Sequence, residues 1–205
     1  MSINLHTSER EVLWKAPPYA GRARWTVPFA TSAYMWPCGS SAILLYGGRS
    51  PEGQGPLPGH MLIDPPPLAD MWRFDLDLLS WTRIPRGGGG SPPAPRAEAA
   101  LAPLIGGGFD PGSAVILGGY SELLHEILPM SRDAYSFRYC DDAHFFSPTT
   151  GWYRLAPAGP RAPPAASVAA GAVSVVSDSA VILFCGGYSG LDRELTYEQV
   201  CKMTF

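Results

Sequence analysis

Three short apolar runs, each closed by two glycines, recur along the chain. They occupy residues 42–48, 114–119 and 180–187, and their closing glycines are about 70 residues apart. An apolar run of this length that ends in Gly-Gly predicts a buried strand followed by a sharp bend. Three copies at similar spacing predict an internal repeat, and a repeat constrains the architecture more strongly than a single motif does.

Alternating apolar and polar positions around these runs predict further strands. Two hairpins are predicted, 70–76 with 80–84 and 143–146 with 151–155, and their second strands carry Trp81 and Trp152. Segments rich in small residues predict the strand that precedes each apolar run. These segments are 24–33, 97–105 and 168–176. A helix is the competing interpretation of 97–105, but Pro103 disfavours it.

The remaining segments carry weaker signals. The ends of the chain predict strands at 9–15 and 199–205. Residues 121–138 predict irregular structure with one helical turn at 122–128. Glycine and proline number 23 and 22, and this proportion suits many short strands joined by turns rather than long helices.

The repeated unit therefore contains four antiparallel strands, namely a first strand, the apolar strand, a third strand and a Trp strand. A long loop follows the diglycine, and a Pro-Arg loop ends the unit. A single four-stranded sheet cannot cover both of its own faces. Repeated sheets of this kind pack face to face around an axis, which is the propeller arrangement.

This pattern resembles the kelch-repeat family. The matching segments are 43–48, 70–76 with Trp81, 115–119, 144–146 with Trp152, and 182–187. The resemblance implies an all-β, kelch-type β-propeller of about three four-stranded blades in a partial or incomplete ring. It also implies a single domain over 1–205, with units of roughly 16–84, 95–155 and 160–205 and an N-terminal strand at 9–15. The spacing from diglycine to Trp is longer than in that family, so each connecting loop is expected to carry an insertion.

The predicted number of blades falls short of a closed ring. Closed propellers have about 4–8 blades. Either the chain is part of a longer protein or two copies share one ring, and we favour the longer protein.

Composition narrows the classes of function. The net charge of −3 gives no electrostatic basis for binding nucleic acid. No apolar run approaches the roughly 20 residues needed to cross a bilayer, and the start lacks a secretory signal pattern. The four cysteines and four histidines show no paired metal-ligand spacing, so we expect no metal, no cofactor and reduced thiols. The predicted location is intracellular, either cytoplasmic or nuclear.

Candidates for catalysis are few. Asp141, Asp142 and His144 could form a carboxylate–histidine site, but we favour a loop that carries solvated charges. No nucleophile elbow and no phosphate-binding loop accompany them. The copper and iron ligand sets of the kelch propellers that are enzymes are not found either. We therefore predict no catalytic residue.

Binding residues are better supported, and the family resemblance supplies their positions. The residue after a diglycine and the residue before the innermost strand are implied to point into the ring mouth and contact a partner peptide. Here these residues are Arg24, Arg49, Glu98, Tyr120 and Tyr188. Arginine and tyrosine carry much of the energy of protein interfaces. The alternative for the two tyrosines is packing over the adjacent blade.

The predicted function is therefore a protein-interaction or scaffold module without catalysis of its own. Its partner would be another protein or peptide, with the chain as a subunit of a larger complex. The alternative function is a propeller enzyme that acts on a small metabolite or sugar in the axial pocket.

Overall fold

The structure, a computed structural model, describes residues 2–3, 10–11, 33–48, 68–85, 90–124, 135–156, 171–176, 180–185 and 200–204. Across these residues all regular structure is β, and no helix is present. The strands in chain order are β1 (Ser2–Ile3), β2 (Arg10–Glu11), β3 (Tyr34–Cys38), β4 (Ala42–Tyr46), β5 (Met71–Asp75), β6 (Ser80–Ile84), β7 (Ala100–Pro103), β8 (Ala114–Leu117), β9 (Tyr120–Leu124), β10 (Tyr135–Tyr139), β11 (Ala143–Ser147), β12 (Gly151–Leu155), β13 (Gly171–Val176), β14 (Ala180–Cys185) and β15 (Val200–Thr204).

Two four-stranded antiparallel sheets have the same internal order. Sheet 1 is β3-β4-β5-β6, and sheet 2 is β7-β8-β11-β12. Sheet 3, β13-β14-β15, repeats the first three strands of that order. Each apolar run with its diglycine supplies the second strand, which lies between two neighbours. The prediction of four antiparallel strands per unit is thus confirmed for sheets 1 and 2.

Several predicted strands are confirmed at their expected places. The two hairpins form as β5–β6 and β11–β12. The small-residue segment 97–105 contains β7, so the strand and not the helix is correct. The segments 168–176 and 199–205 contain β13 and β15. Of the predicted N-terminal strand 9–15, residues 9 and 12–15 lie outside the described residues, and residues 10–11 form β2.

The first strand of sheet 1 corrects one prediction. It begins at Tyr34, immediately after the predicted segment 24–33, of which only Ala33 is described and lies outside any strand. The signal in 34–38 is an alternation in which Tyr34 and Trp36 are buried while Met35 is exposed. Pro37 obscures that signal, but β3 is an edge strand, where a residue without an N–H is tolerated.

The connection between β8 and β11 corrects another prediction. The proposed helical turn at 122–128 is wrong for its first part, because β9 extends to Leu124. β9 and β10 form an antiparallel ribbon, with Tyr120 opposite Tyr139 and Leu124 opposite Tyr135. This ribbon is inserted between the second and third strands of sheet 2. Local propensity does not reveal such pairing between segments distant in sequence.

Sheets 1 and 2 pack face to face through aromatic side chains. The rings of Trp36 and Phe146 lie 6.1 Å apart, and those of Tyr46 and Trp152 lie 4.9 Å apart. The indole Nε1 of Trp36 donates a hydrogen bond of 2.7 Å to the carbonyl of Gly112, in the loop before β8. Trp152 thus packs between sheets 1 and 2.

The other face of sheet 2 packs on sheet 3 through smaller side chains. The cluster includes Ala100, Ala102, Val115 and Leu117 of sheet 2, together with Ile182 of β14. Small alanines allow the sheets to approach closely. Sheet 2 is therefore covered on both faces and forms the middle layer.

The described residues contain no helix long and apolar enough to cross a membrane.

Candidate functional site

The two described diglycines adopt the same backbone conformation. The φ angles are 65° and 86° at Gly47 and Gly48, and 68° and 85° at Gly118 and Gly119. This left-handed region is costly for residues that have a Cβ. The pairs therefore end β4 and β8 in one kind of bend, and we call this edge of sheets 1 and 2 the diglycine end.

Equivalent hydrogen bonds tie each bend to the strand that follows it. Gly47 N donates to the carbonyl of Asp70 at 3.0 Å, and Gly118 N donates to the carbonyl of Asp142 at 3.2 Å. Asp70 and Asp142 stand immediately before β5 and β11, so the repeat places an aspartate at the same position of both sheets.

Residues 96–99, which we call the junction segment, lie between the two bends. A Cβ added to Gly47 would lie 3.1 Å from the carbonyl oxygen of Arg96, and one added to Gly119 would lie 2.7 Å from that of Ala97. Both glycines are therefore required by close backbone approach as well as by φ. The junction segment leads into β7 and links the two sheets.

Arg96 anchors the junction segment to sheet 2. Its side chain is fully buried and forms a two-point ion pair with Asp142, with Nη1–Oδ1 at 2.7 Å and Nη2–Oδ2 at 3.0 Å. Nη1 also donates to the carbonyl of Gly118 at 2.9 Å. Burial acts to raise the pKa of Asp142, but the hydrogen bonds from His144 and Arg96 outweigh it and hold that pKa well below its usual range.

His144 extends this network. Its Nε2 lies 2.8 Å from Oδ2 of Asp142, and its Nδ1 lies 3.1 Å from the carbonyl oxygen of Ser91. His144 is buried, whereas Asp141 is exposed. The interpretation of these residues as solvated loop charges is therefore wrong for Asp142 and His144. They hold the segment before β7 against sheet 2, because Arg96 and Ser91 both belong to that segment.

Glu98 lies in the middle of the junction segment and is partly exposed. Its φ is 55°, in the left-handed region. On one side Ala97 exchanges two backbone hydrogen bonds of 3.0 Å with Tyr120. On the other side Ala99 N donates to the hydroxyl of Tyr34. Burial is the main cause that raises the pKa of Tyr34, and the negative charge of Glu98 raises it further.

Tyr120 follows the second diglycine and begins the ribbon β9–β10. Its side chain is 6% exposed and packs with Ala97 in a small cluster. For Tyr120, this placement agrees with the alternative given above, in which the tyrosine packs within the protein. Tyr120 thus joins the ribbon to the junction segment at the diglycine end.

The structure brings together Glu98 and Tyr120 from the set that the sequence predicts. Arg24, Arg49 and Tyr188 lie outside the described residues. Sequence reasoning missed Arg96 as an organising residue. A signal was present, because a Pro-Arg pair precedes the first strand at 95–96 and recurs at 160–161.

Asp142 and His144 make their described contacts within the fold. In the described part of the chain, no three His, Cys, Asp or Glu side chains converge on a metal-sized site. The Asp142–His144 pair faces Arg96 and a carbonyl, so its hydrogen-bonding capacity is used within the fold.

The fold defines an all-β protein of stacked antiparallel sheets that share one strand order. No family profile matches the chain, and a search of curated proteins finds no match. Among solved structures, the chain is similar to one described as "Structure of YjhT", with a TM-score of 0.52 and 13% identity. The likeness covers 98% of this chain and 46% of that one, so the chain spans about half its length. At this identity the likeness concerns the fold alone.

Proposed function

We propose that the chain is a kelch-type β-propeller, whole or partial, which acts as a protein-interaction or scaffold module. The observation that carries the proposal is the recurrence of one strand order and one diglycine geometry in successive sheets. β7 lies beside β13 and contacts β3, so the first strands of the three units are neighbours. Adjacent first strands are consistent with sheets arrayed about a common centre.

The chemistry of the diglycine end favours binding over catalysis. The described carboxylate–histidine pair is held in a buried ion-pair network. What the diglycine end presents instead is Glu98, which is partly exposed, and the ribbon β9–β10, which leaves sheet 2 directly after Gly119. Loops and inserted segments on a rigid sheet scaffold commonly carry recognition. The partner is another protein or peptide, and the chain acts within a larger assembly.

Three positions named from the sequence complete the proposed binding surface. Arg49 and Tyr188 follow the first and third diglycines, as Tyr120 follows the second. Arg24 is a further candidate from the sequence, although it stands farther before β3 than Glu98 stands before β7. A partner that crosses the diglycine end would meet Glu98 together with Arg49 and Tyr188, whereas Tyr120 is buried and packs on the junction segment.

The test is affinity capture with the full chain as bait, followed by quantitative mass spectrometry. We expect Arg49→Ala and Tyr188→Ala to lose the same set of captured proteins while their melting temperatures stay near that of the wild type. Arg154→Ala, at an exposed position of β12, is the matched control and should retain that set. A large fall in melting temperature for both test variants would identify them as packing residues and contradict the proposal. Unchanged capture by both would contradict it as well.

A further inference from the structure

Glu98 occupies a backbone conformation that glycine would adopt at lower cost. Among the described residues, two that are not glycine have positive φ, Glu98 at 55° and Leu79 at 49°. Left-handed backbone is unfavourable for a residue with a Cβ. At the other described positions with positive φ the residue is glycine, including the two described diglycines. A glutamate at position 98 therefore carries a cost that its backbone role does not require.

The neighbours of Glu98 fix that conformation from both sides. Ala97 is paired with Tyr120, and Ala99 N is bound by the Tyr34 hydroxyl. Between these anchors the chain passes around Gly119, whose added Cβ would lie 2.9 Å from Ala99 N. The backbone thus determines the direction in which the Glu98 side chain leaves the junction segment.

The carboxylate of Glu98 has no cationic partner among the described residues. Arg96, two residues earlier, is fully buried and pairs with Asp142. Asp70 pairs with Arg83, and Asp75 pairs with Arg73. These aspartates are partly exposed, as Glu98 is. Glu98 differs from them because its backbone is held in the left-handed region and no described arginine neutralises its carboxylate.

We propose that Glu98 recognises a cationic side chain, of the arginine or lysine class, on the partner protein. This inference rests on the proposed interaction function, and it adds the chemistry of the partner. A directed carboxylate forms charge-assisted hydrogen bonds with guanidinium or ammonium donors, and these are stronger than neutral ones. Because its backbone is fixed before binding, Glu98 loses less conformational entropy when the cation arrives.

The experiment uses immobilised peptide libraries as the probe. Each library has random flanks and one fixed central residue, which is arginine, lysine or a neutral analogue (citrulline or norleucine). We expect the wild-type chain to retain the arginine or lysine library about tenfold better than its neutral counterpart. Glu98→Gln keeps the shape and removes the charge, so it should lose this preference while still binding the neutral libraries equally well.

A second pair of variants separates charge from strain. Glu98→Gly should keep or raise the melting temperature and lose the cation preference. Leu79→Gly relieves the same backbone conformation in the β5–β6 turn, and it should keep both stability and preference. Retention of the preference by Glu98→Gln or Glu98→Gly would overturn the inference. Wild-type binding without cation preference would overturn it and leave the interaction function standing, whereas no binding to any library would count against both.

Discussion

The guanidinium of Arg96 faces the carboxylate of Asp142 in a two-point ion pair, with Nη–Oδ distances of 2.7 and 3.0 Å. The arginine belongs to the segment that leaves sheet 1, and the aspartate precedes β11 of sheet 2. The backbone N of Arg96 also donates to the carbonyl of Leu68, on the sheet 1 side, at 3.4 Å. Arg96 therefore connects successive repeats, and its burial makes the connection sensitive to substitution.

Loss of the Arg96 charge should be strongly destabilising. Arg96→Met leaves the carboxylate of Asp142 without its main cation, and breaking a buried pair in this way costs about 3–5 kcal/mol. Arg83→Met is the matched control, because its pair with Asp70 is surface-exposed and worth about 0–1 kcal/mol. Urea unfolding measures both free energies. Equal effects in the two variants would contradict the organising role of Arg96.

The same pair predicts how stability depends on pH. The pKa of Asp142 is lower in the folded chain than the unfolded value of about 3.9. The unfolded chain therefore binds more protons between these two pKa values, and stability rises with pH there. The contribution of Asp142 to the free energy of unfolding should be complete above about pH 5. It should shrink as pH falls below about 4 towards the folded pKa of Asp142.

The difference in unfolding free energy between the wild type and Asp142→Asn measures this contribution. We expect the difference to narrow as pH falls through that range. Asp141→Asn, at the exposed neighbouring position, is the control. A gap between wild type and Asp142→Asn that stays constant with pH would show that the carboxylate charge is not the source of the stability.

Gly119 should not tolerate a side chain. Its φ is 85°, and an added Cβ would lie 2.7 Å from the carbonyl oxygen of Ala97. Gly119→Ala therefore combines backbone strain with a clash and should cost more than about 2 kcal/mol. Gly106→Ala has nearly the same φ, 88°, but no atom within 4 Å of the new Cβ, so it should cost only about 1 kcal/mol. Thermal unfolding of both variants separates the clash from the backbone strain that they share. Similar losses of stability in the two variants would show that the new Cβ at position 119 does not clash.

Trp36 should contribute more to stability than Trp81. Trp36→Phe removes the buried donor to the Gly112 carbonyl and reduces the contact area with Phe146. We expect the unfolding free energy to fall by about 2 kcal/mol or more. Trp81 is only partly buried and packs on Phe74 within its own sheet, so Trp81→Phe should cost less than about 1 kcal/mol. Denaturant midpoints report the difference. The reverse order would mean that sheets 1 and 2 are not joined mainly through Trp36.

Much of the strand pattern could be predicted from local signals. The apolar runs before the diglycines and the two Trp hairpins form strands because apolar alternation and turn residues act within a few positions. The first strand of sheet 1 is β3 at Tyr34–Cys38, whereas the sequence predicts it at 24–33, because Pro37 interrupts the alternation in β3. The ribbon β9–β10 was missed because its register joins segments separated by residues 125–134, and local periodicity does not encode that pairing.

The sequence alone determined the repeat, the all-β class and the need for glycine at the end of each apolar strand, because these properties follow from residue spacing and backbone sterics. The tertiary structure decided that the partly buried Asp142 pairs with the buried Arg96 and His144, and that Glu98 is fixed in left-handed backbone around Gly119. Those relationships join side chains from different sheets and loops. Burial and pairing arise when the sheets stack, so no single stretch of the chain contains the information.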